Sequence, residues 1–178
     1  MNFSIPLKIL QCLFCFFVFS FFSSAGADVW DKPEPLEKIA SKLPEITDIK
    51  CRFTQEKTIP NIDKTFVSSG DFQFIKNEGV IFYTKYPFEQ VIDYTNKNYK
   101  QINDVIKAVS SKKFRRLEKE FDFFFEENTP ENSWTLGLKP KEKTAEFLSS
   151  ITLEGSDFIQ RIKIEMINGA LTDIRFEK

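Results

Sequence analysis

Histidine is absent from the 178-residue chain. Its absence removes the usual general base, the commonest metal ligand and every Ser-His or Cys-His nucleophile arrangement. Cysteine is nearly as scarce, and two of the three, Cys12 and Cys15, lie in a leading segment that reads as removable. That leaves Cys51 without an internal disulfide partner. Because Cys51 alternates with Ile49 and Phe53, it reads as a small buried apolar residue. A zinc site would need several nitrogen or sulfur ligands, and no acidic loop has the spacing that calcium requires, so no metal or cofactor is expected. The carboxylates Asp71, Glu89, Asp93, Asp122 and Asp173 stand singly on the polar phase of strands or at a helix end. They are not paired as glycoside chemistry requires, and solvation is their expected role. No catalytic residue emerges, and an enzyme is not expected.

The chain opens with Lys8, a run of about fourteen apolar residues from Ile9 to Phe22, and then Ser23-Ser24-Ala25-Gly26-Ala27. This reads as a signal peptide, cleaved after Ala27. The run is short of the roughly twenty residues that span a bilayer as a helix. No cysteine follows a lipobox near the cut, so the protein itself is not expected to be lipidated. Residues 28 to 178 then form one exported domain. Without Lys8 the cations fall from 25 to 24 against 26 carboxylates, a formal net of −2, which carries no nucleic-acid footprint.

Along the mature chain, Asp31 is placed to cap a helix, with Glu34 three residues on and Leu36, Ile39 and Leu43 at helical spacing before Pro44. The period changes to two at Asp48. Strands are expected at Ile49 to Thr54, Lys64 to Lys76, Val80 to Lys85, Phe88 to Tyr94 and Tyr99 to Ile102. Phe114, Leu117 and Phe121 then predict a second helix over Asp104 to Phe121. Strands follow at Phe121 to Glu126, Trp134 to Lys139, Phe147 to Glu154, Phe158 to Met166 and Leu171 to Glu177, the last two joined through Asn168-Gly169. Long hairpins without crossover helices make the sheet antiparallel, with helices covering an apolar face. Lys112, Lys113, Arg115 and Arg116 form the one basic cluster, read either as a wet helix face or as a docking patch for an acidic partner or anionic headgroup.

Arg52-Phe53-Thr54-Gln55-Glu56-Lys57 resembles the Phe-x-Gln opening of the outer-membrane lipoprotein carrier family, LolA, and Ser69-Gly70-Asp71-Phe72-Gln73-Phe74 its following Gly-led strand. Gly79 to Tyr83 with Tyr86-Pro87-Phe88 is similar to its strand and proline corner. Trp134-Thr135-Leu136-Gly137-Leu138-Lys139-Pro140 resembles its Trp-x-Leu-x-Leu-x-Pro strand, and Asn168-Gly169 to Phe176 its closing hairpin. The resemblance implies a mainly β fold, an incomplete antiparallel barrel of about nine to eleven strands whose concave apolar face is plugged by two or three helices. It implies acylated lipoprotein or lipid cargo, an inner-membrane ABC-type release complex and an outer-membrane acceptor. The protein would be a periplasmic monomer without stable membrane insertion. Phe53, Phe72, Phe74, Phe82, Phe88, Ile92, Trp134, Leu136, Leu138, Ile162 and Ile164 then become candidate cavity lining. Leu36, Ile39, Leu43, Phe114 and Leu117 become a helical lid. Where the best-known members carry an arginine before the corner proline, Tyr86 precedes Pro87 here. The alternative reading keeps this fold as a sensing or adaptor module that binds a protein partner through an edge strand or the basic cluster.

Overall fold

Alternation of apolar and polar residues over segments of four to eleven residues gives nine strands in the computed structural model, which describes residues 29–60, 62, 64–76, 78–95, 101–128 and 132–178, with the backbone alone at 101–103. They are β1 (Ile49–Thr58), β2 (Thr65–Ile75), β3 (Gly79–Tyr86), β4 (Gln90–Asp93), β5 (Phe121–Asn128), β6 (Ser133–Pro140), β7 (Leu148–Gly155), β8 (Ile159–Met166) and β9 (Leu171–Glu177). All pair antiparallel in one curved, unclosed sheet of order β4-β3-β2-β1-β9-β8-β7-β6-β5. The mainly β class, the open barrel and the strand count agree with expectation. The leader at 1–27 lies outside the described residues. Among those described, no helix is long and apolar enough to cross a membrane.

This order has a topological consequence. Strands β4 and β5 are consecutive in sequence but occupy opposite edges of the sheet, so the chain between them must travel across a face. Helix α2 (Gln101–Ser111) and a 3-10 turn at Phe114–Arg116 lie in that crossing. They bury Val105, Ile106, Val109, Phe114 and Leu117 against the sheet. Helix α1 (Leu36–Lys42) precedes β1 and adds Ile39 to the same core. The β8–β9 hairpin turns at Gly169, whose φ of 81° is open to glycine at little cost.

Three local expectations change. Asp31 does not cap α1, which starts behind Pro35 with no side-chain cap. The lead is extended instead: Pro33 bridges Phe124, and the Glu34 N–H donates to the Phe123 carbonyl at 2.9 Å, covering the β5 edge. Residues before proline are pushed out of the helical region, so Lys32 and Glu34 favour this path. The second helix does not run from Asp104 to Phe121. It begins at Gln101 and stops at Lys112, whose φ of 56° is left-handed, and Phe121 already belongs to β5. The strand expected at Tyr99 to Ile102 is therefore helical from Gln101 on, and Tyr99 lies outside the described residues.

The two faces differ in chemistry. On the outer face Lys163 stands opposite Asp173 and Asp173 opposite Glu56, while Arg161 stands opposite Arg175. Asp173 corrects the expectation of solvation, being only 8% exposed. Arg161 donates to its two carboxylate oxygens from Nε at 2.9 Å and Nη2 at 2.7 Å, and Arg175 adds a contact at 3.1 Å. These bonds, Arg161 foremost, hold the Asp173 carboxyl below its ordinary pKa.

Candidate functional site: the roofed concave face

Strand register places the nominated cavity residues. One row runs Phe125, Leu136, Leu153, Ile162, Ile174 across five strands and ends in the polar pair Gln55 and Ser68, whose side chains hydrogen-bond at 3.3 Å. A second runs Cys51, Phe72, Phe82, Ile92. Leu138 faces Ile151, which faces Ile164, and Phe53 faces Phe176. Phe53, Phe72, Phe74, Phe82, Ile92, Trp134, Leu136, Leu138, Ile162 and Ile164 thus share one face. The rings interlock, Phe72 lying 4.9 Å from Phe82 and 4.5 Å from Phe176 between centroids. Trp134 keeps its polar edge satisfied by donating Nε1–H to the Ser156 carbonyl at 2.7 Å.

Phe88 is the exception. It follows Pro87 in the corner rather than lying in a strand, because β4 begins only at Gln90, and it is 80% exposed. With Phe53, Phe82, Pro87, Ile92 and Ile174 it borders an open groove of about 220 Å³ at one end of the concave face, edged by Gln55, Ser68, Thr84 and Gln90. Tyr86, before the corner, is exposed.

The lid residues divide between two elements. Ile39 and Leu43 are buried and Leu36 half-buried, around α1; Phe114 and Leu117 are buried at the 3-10 turn, Phe114 edge-on to Phe123 at 5.6 Å. The residues missed from sequence are Val105, Ile106 and Val109 on α2. Their apolar spacing was the available signal, obscured by the basic run that follows. Beneath α2 the expected roomy hollow is not open. The space among Ile49, Phe72, Phe74, Ile106, Ser110, Ile162 and Phe176 is about 10 Å³, about the minimum for a single water. The helices fill the face themselves. Ser110 is 1% exposed, and its hydroxyl has no hydrogen-bond partner among the described residues.

Cys51 borders the same space, and burial pushes its thiol up to a pKa of about 11, leaving it uncharged and unreactive near neutrality. Among the described residues no group of three or more His, Cys, Asp or Glu side chains is placed to hold a metal. What the concave face offers among the described residues is chiefly apolar surface, covered by the inward residues of α1, α2 and the 3-10 turn.

No protein-family model matches the chain, and no curated protein matches it either. Among solved structures it is similar to a LolA superfamily protein from Nitrosomonas europaea, at 10% identity and a TM-score of 0.42, over 82% of this chain and 92% of that one. It is also similar to a DUF1329 family protein from Desulfovibrio piger, at 10% identity and a TM-score of 0.33, over 80% and 89% of the two chains. A candidate outer-membrane lipoprotein-sorting protein domain from Vibrio parahaemolyticus has 10% identity and a TM-score of 0.34, over 80% and 88%. At these identities the fold rests on the sheet's own order and register.

Proposed function

We propose that the protein is an exported, non-enzymatic carrier that takes acyl chains of lipoproteins, or of a related lipid, onto the concave face of its sheet and shuttles them from inner to outer membrane. In this reading residues 1–27 are removed on export and 28–178 act as one periplasmic domain. A release complex at the inner membrane and an acceptor at the outer membrane supply and receive the cargo. The observation that carries the reading is an apolar sheet face continuous over both halves of the sheet, roofed by short helices and passing at one end into an open groove. The ordered motif series that resembles LolA supports the same reading.

The helices are suited to displacement. At seven and eleven residues, α1 and α2 are shorter than helices that hold alone in water, so they depend on the surface they cover. An acyl chain offers about 0.8 kcal/mol per methylene buried, roughly 8 kcal/mol for ten, before the cost of association. Set against that is the apolar helix surface that must leave the sheet. Because gain and loss are of one kind, loading stays reversible. Native mass spectrometry of detergent-free protein, alone and after addition of a triacylated lipopeptide, tests this: adducts of lipid mass support carriage, and apo mass under both conditions contradicts it.

A second reading, an adaptor that binds a protein partner, draws on one specific observation. Phe66, Val67, Tyr86 and Phe88 are all exposed, and β3 pairs with β2 only from Ser69 onward, so Thr65 to Ser68 leave one side of β2 open to an added strand. Stable capture of one membrane protein without lipid favours this reading over carriage.

A further inference from the structure

A groove of about 730 Å³ with an apolar floor lies between α1 and the α2 crossing. Its floor includes Leu36, Ala40 and Ala108. Lys107, Lys112, Lys113, Arg115 and Arg116 stand around it, the last two and Lys113 exposed. None of these five has a carboxylate within 4.0 Å among the described residues. The contrast with nearby cations is sharp: Lys38 is paired with Glu34, Lys42 with Glu127 and Lys76 with Glu45. From Asp104 to Glu120 there are six cations against three carboxylates, a net of +3 in a chain of net −1, so the remainder carries −4. Charge of one sign is therefore concentrated on the segment that crosses the sheet face.

Five cations against the three carboxylates Glu37, Asp104 and Glu118 leave the rim at a net of +2 above an apolar floor, which matches an anionic amphiphile, whose headgroups meet the cations while its hydrocarbon meets the floor. We propose that this groove docks the protein onto an anionic lipid bilayer, bringing the lid elements to the membrane surface where cargo is taken up or released. The inference rests on the carrier reading for its purpose but not for its chemistry. Docking would bring α1 and α2 to a surface that competes with the sheet for their apolar faces. The same contact that positions the carrier would then favour opening.

The test is vesicle flotation of residues 28–178, which contain every described element. The protein is expected to float with phosphatidylcholine vesicles containing phosphatidylglycerol and to remain unbound with phosphatidylcholine alone. Binding should vanish as the Debye length falls from about 30 Å at low salt to about 3 Å at molar salt. Each basic residue near an anionic leaflet is worth about fivefold in partition. The triple variant Lys113→Gln, Arg115→Gln, Arg116→Gln should therefore lose about a hundredfold while keeping the parent's thermal transition. Absence of flotation with anionic vesicles at low salt, equal flotation with neutral ones, or an unchanged triple variant overturns the proposal. Uptake of a fluorescent fatty acid without vesicles separates this from the carrier reading: the variant is expected to match the parent there. Vesicle binding by a parent that takes up no fatty acid would uphold docking while removing carriage.

Discussion

Ser110→Ala separates the competing-lid account from a simple packed core. The Ser110 hydroxyl is buried on the sheet side of α2 without a hydrogen-bond partner, and an unsatisfied buried hydroxyl costs about 1 to 3 kcal/mol. Alanine removes that cost and adds a few tenths of a kcal/mol of helix propensity, offset in part by the small void left behind. The net expectation is a gain of about 1 to 2 kcal/mol, or about 2 to 8 °C in Tm for a domain of this size. It is measured as a higher urea midpoint at unchanged slope. Because an acyl chain must displace the stabilised closed state, the same substitution should weaken apparent acyl affinity by tenfold for each 1.4 kcal/mol gained. Val109→Ala, at a fully buried position on the same helix, should move both quantities the other way, with a stability loss of about 1 to 3 kcal/mol. Greater stability with unchanged acyl affinity would show that α2 does not compete with cargo. A loss of stability in Ser110→Ala would show that the hydroxyl is satisfied in solution.

Other positions make independent demands. Asp173 has a folded pKa below its ordinary value of about 4, so its contribution is fully present above that pH and lost as pH falls through the lower folded value. Asp173→Asn should flatten the acid limb of stability and cost about 1 to 3 kcal/mol at neutral pH, read from urea midpoints between about pH 2 and pH 7. A side chain at Gly137 would begin 2.7 Å from the Trp30 ring. Gly137→Ala should therefore lift Trp30 off Phe124, whose ring it meets edge-on at 5.3 Å between centroids, red-shift indole emission and cost about 1 to 3 kcal/mol. An unshifted spectrum contradicts that packing. Phe88→Ser should change stability by less than about 0.5 kcal/mol because the ring is exposed, yet slow acyl uptake in stopped-flow fluorescence. Unchanged uptake removes the groove from the loading path.

What was legible in the sequence was the phase of the strands that alternate cleanly, whereas a run such as Phe123-Phe124-Phe125 in β5 is apolar on both phases and left the concave side open. One side of the sheet is charged and the other apolar, so alternation along β1, β6 or β8 assigned Phe53, Trp134, Leu136, Leu138, Ile162 and Ile164 to one face without knowledge of partners. The features that escaped are set by contacts distant in sequence. Asp173 looks like any polar-phase carboxylate until β8 places Arg161 beside it. The lead at Pro33 is drawn out of a helix by the edge of β5, and α2 ends at a left-handed lysine, not the glycine that would have announced the stop. Phe88 follows a proline and continues an apolar run, which resembles a strand start, but the chain is still turning there. How densely the face would be filled had no local signal, because the filler came from helices whose inward residues, Val105, Ile106 and Val109, lie beside a basic run.

In a carrier of this build the roof leaves the sheet when cargo binds. Spin labels at Lys107→Cys on α2 and Glu165→Cys on the outer face of β8, in a Cys51→Ser background, measure this by pulsed dipolar spectroscopy. The distance is expected to lengthen when a triacylated lipopeptide is added and to return when it is removed. An unchanged distance in protein shown to hold the lipopeptide would contradict the account.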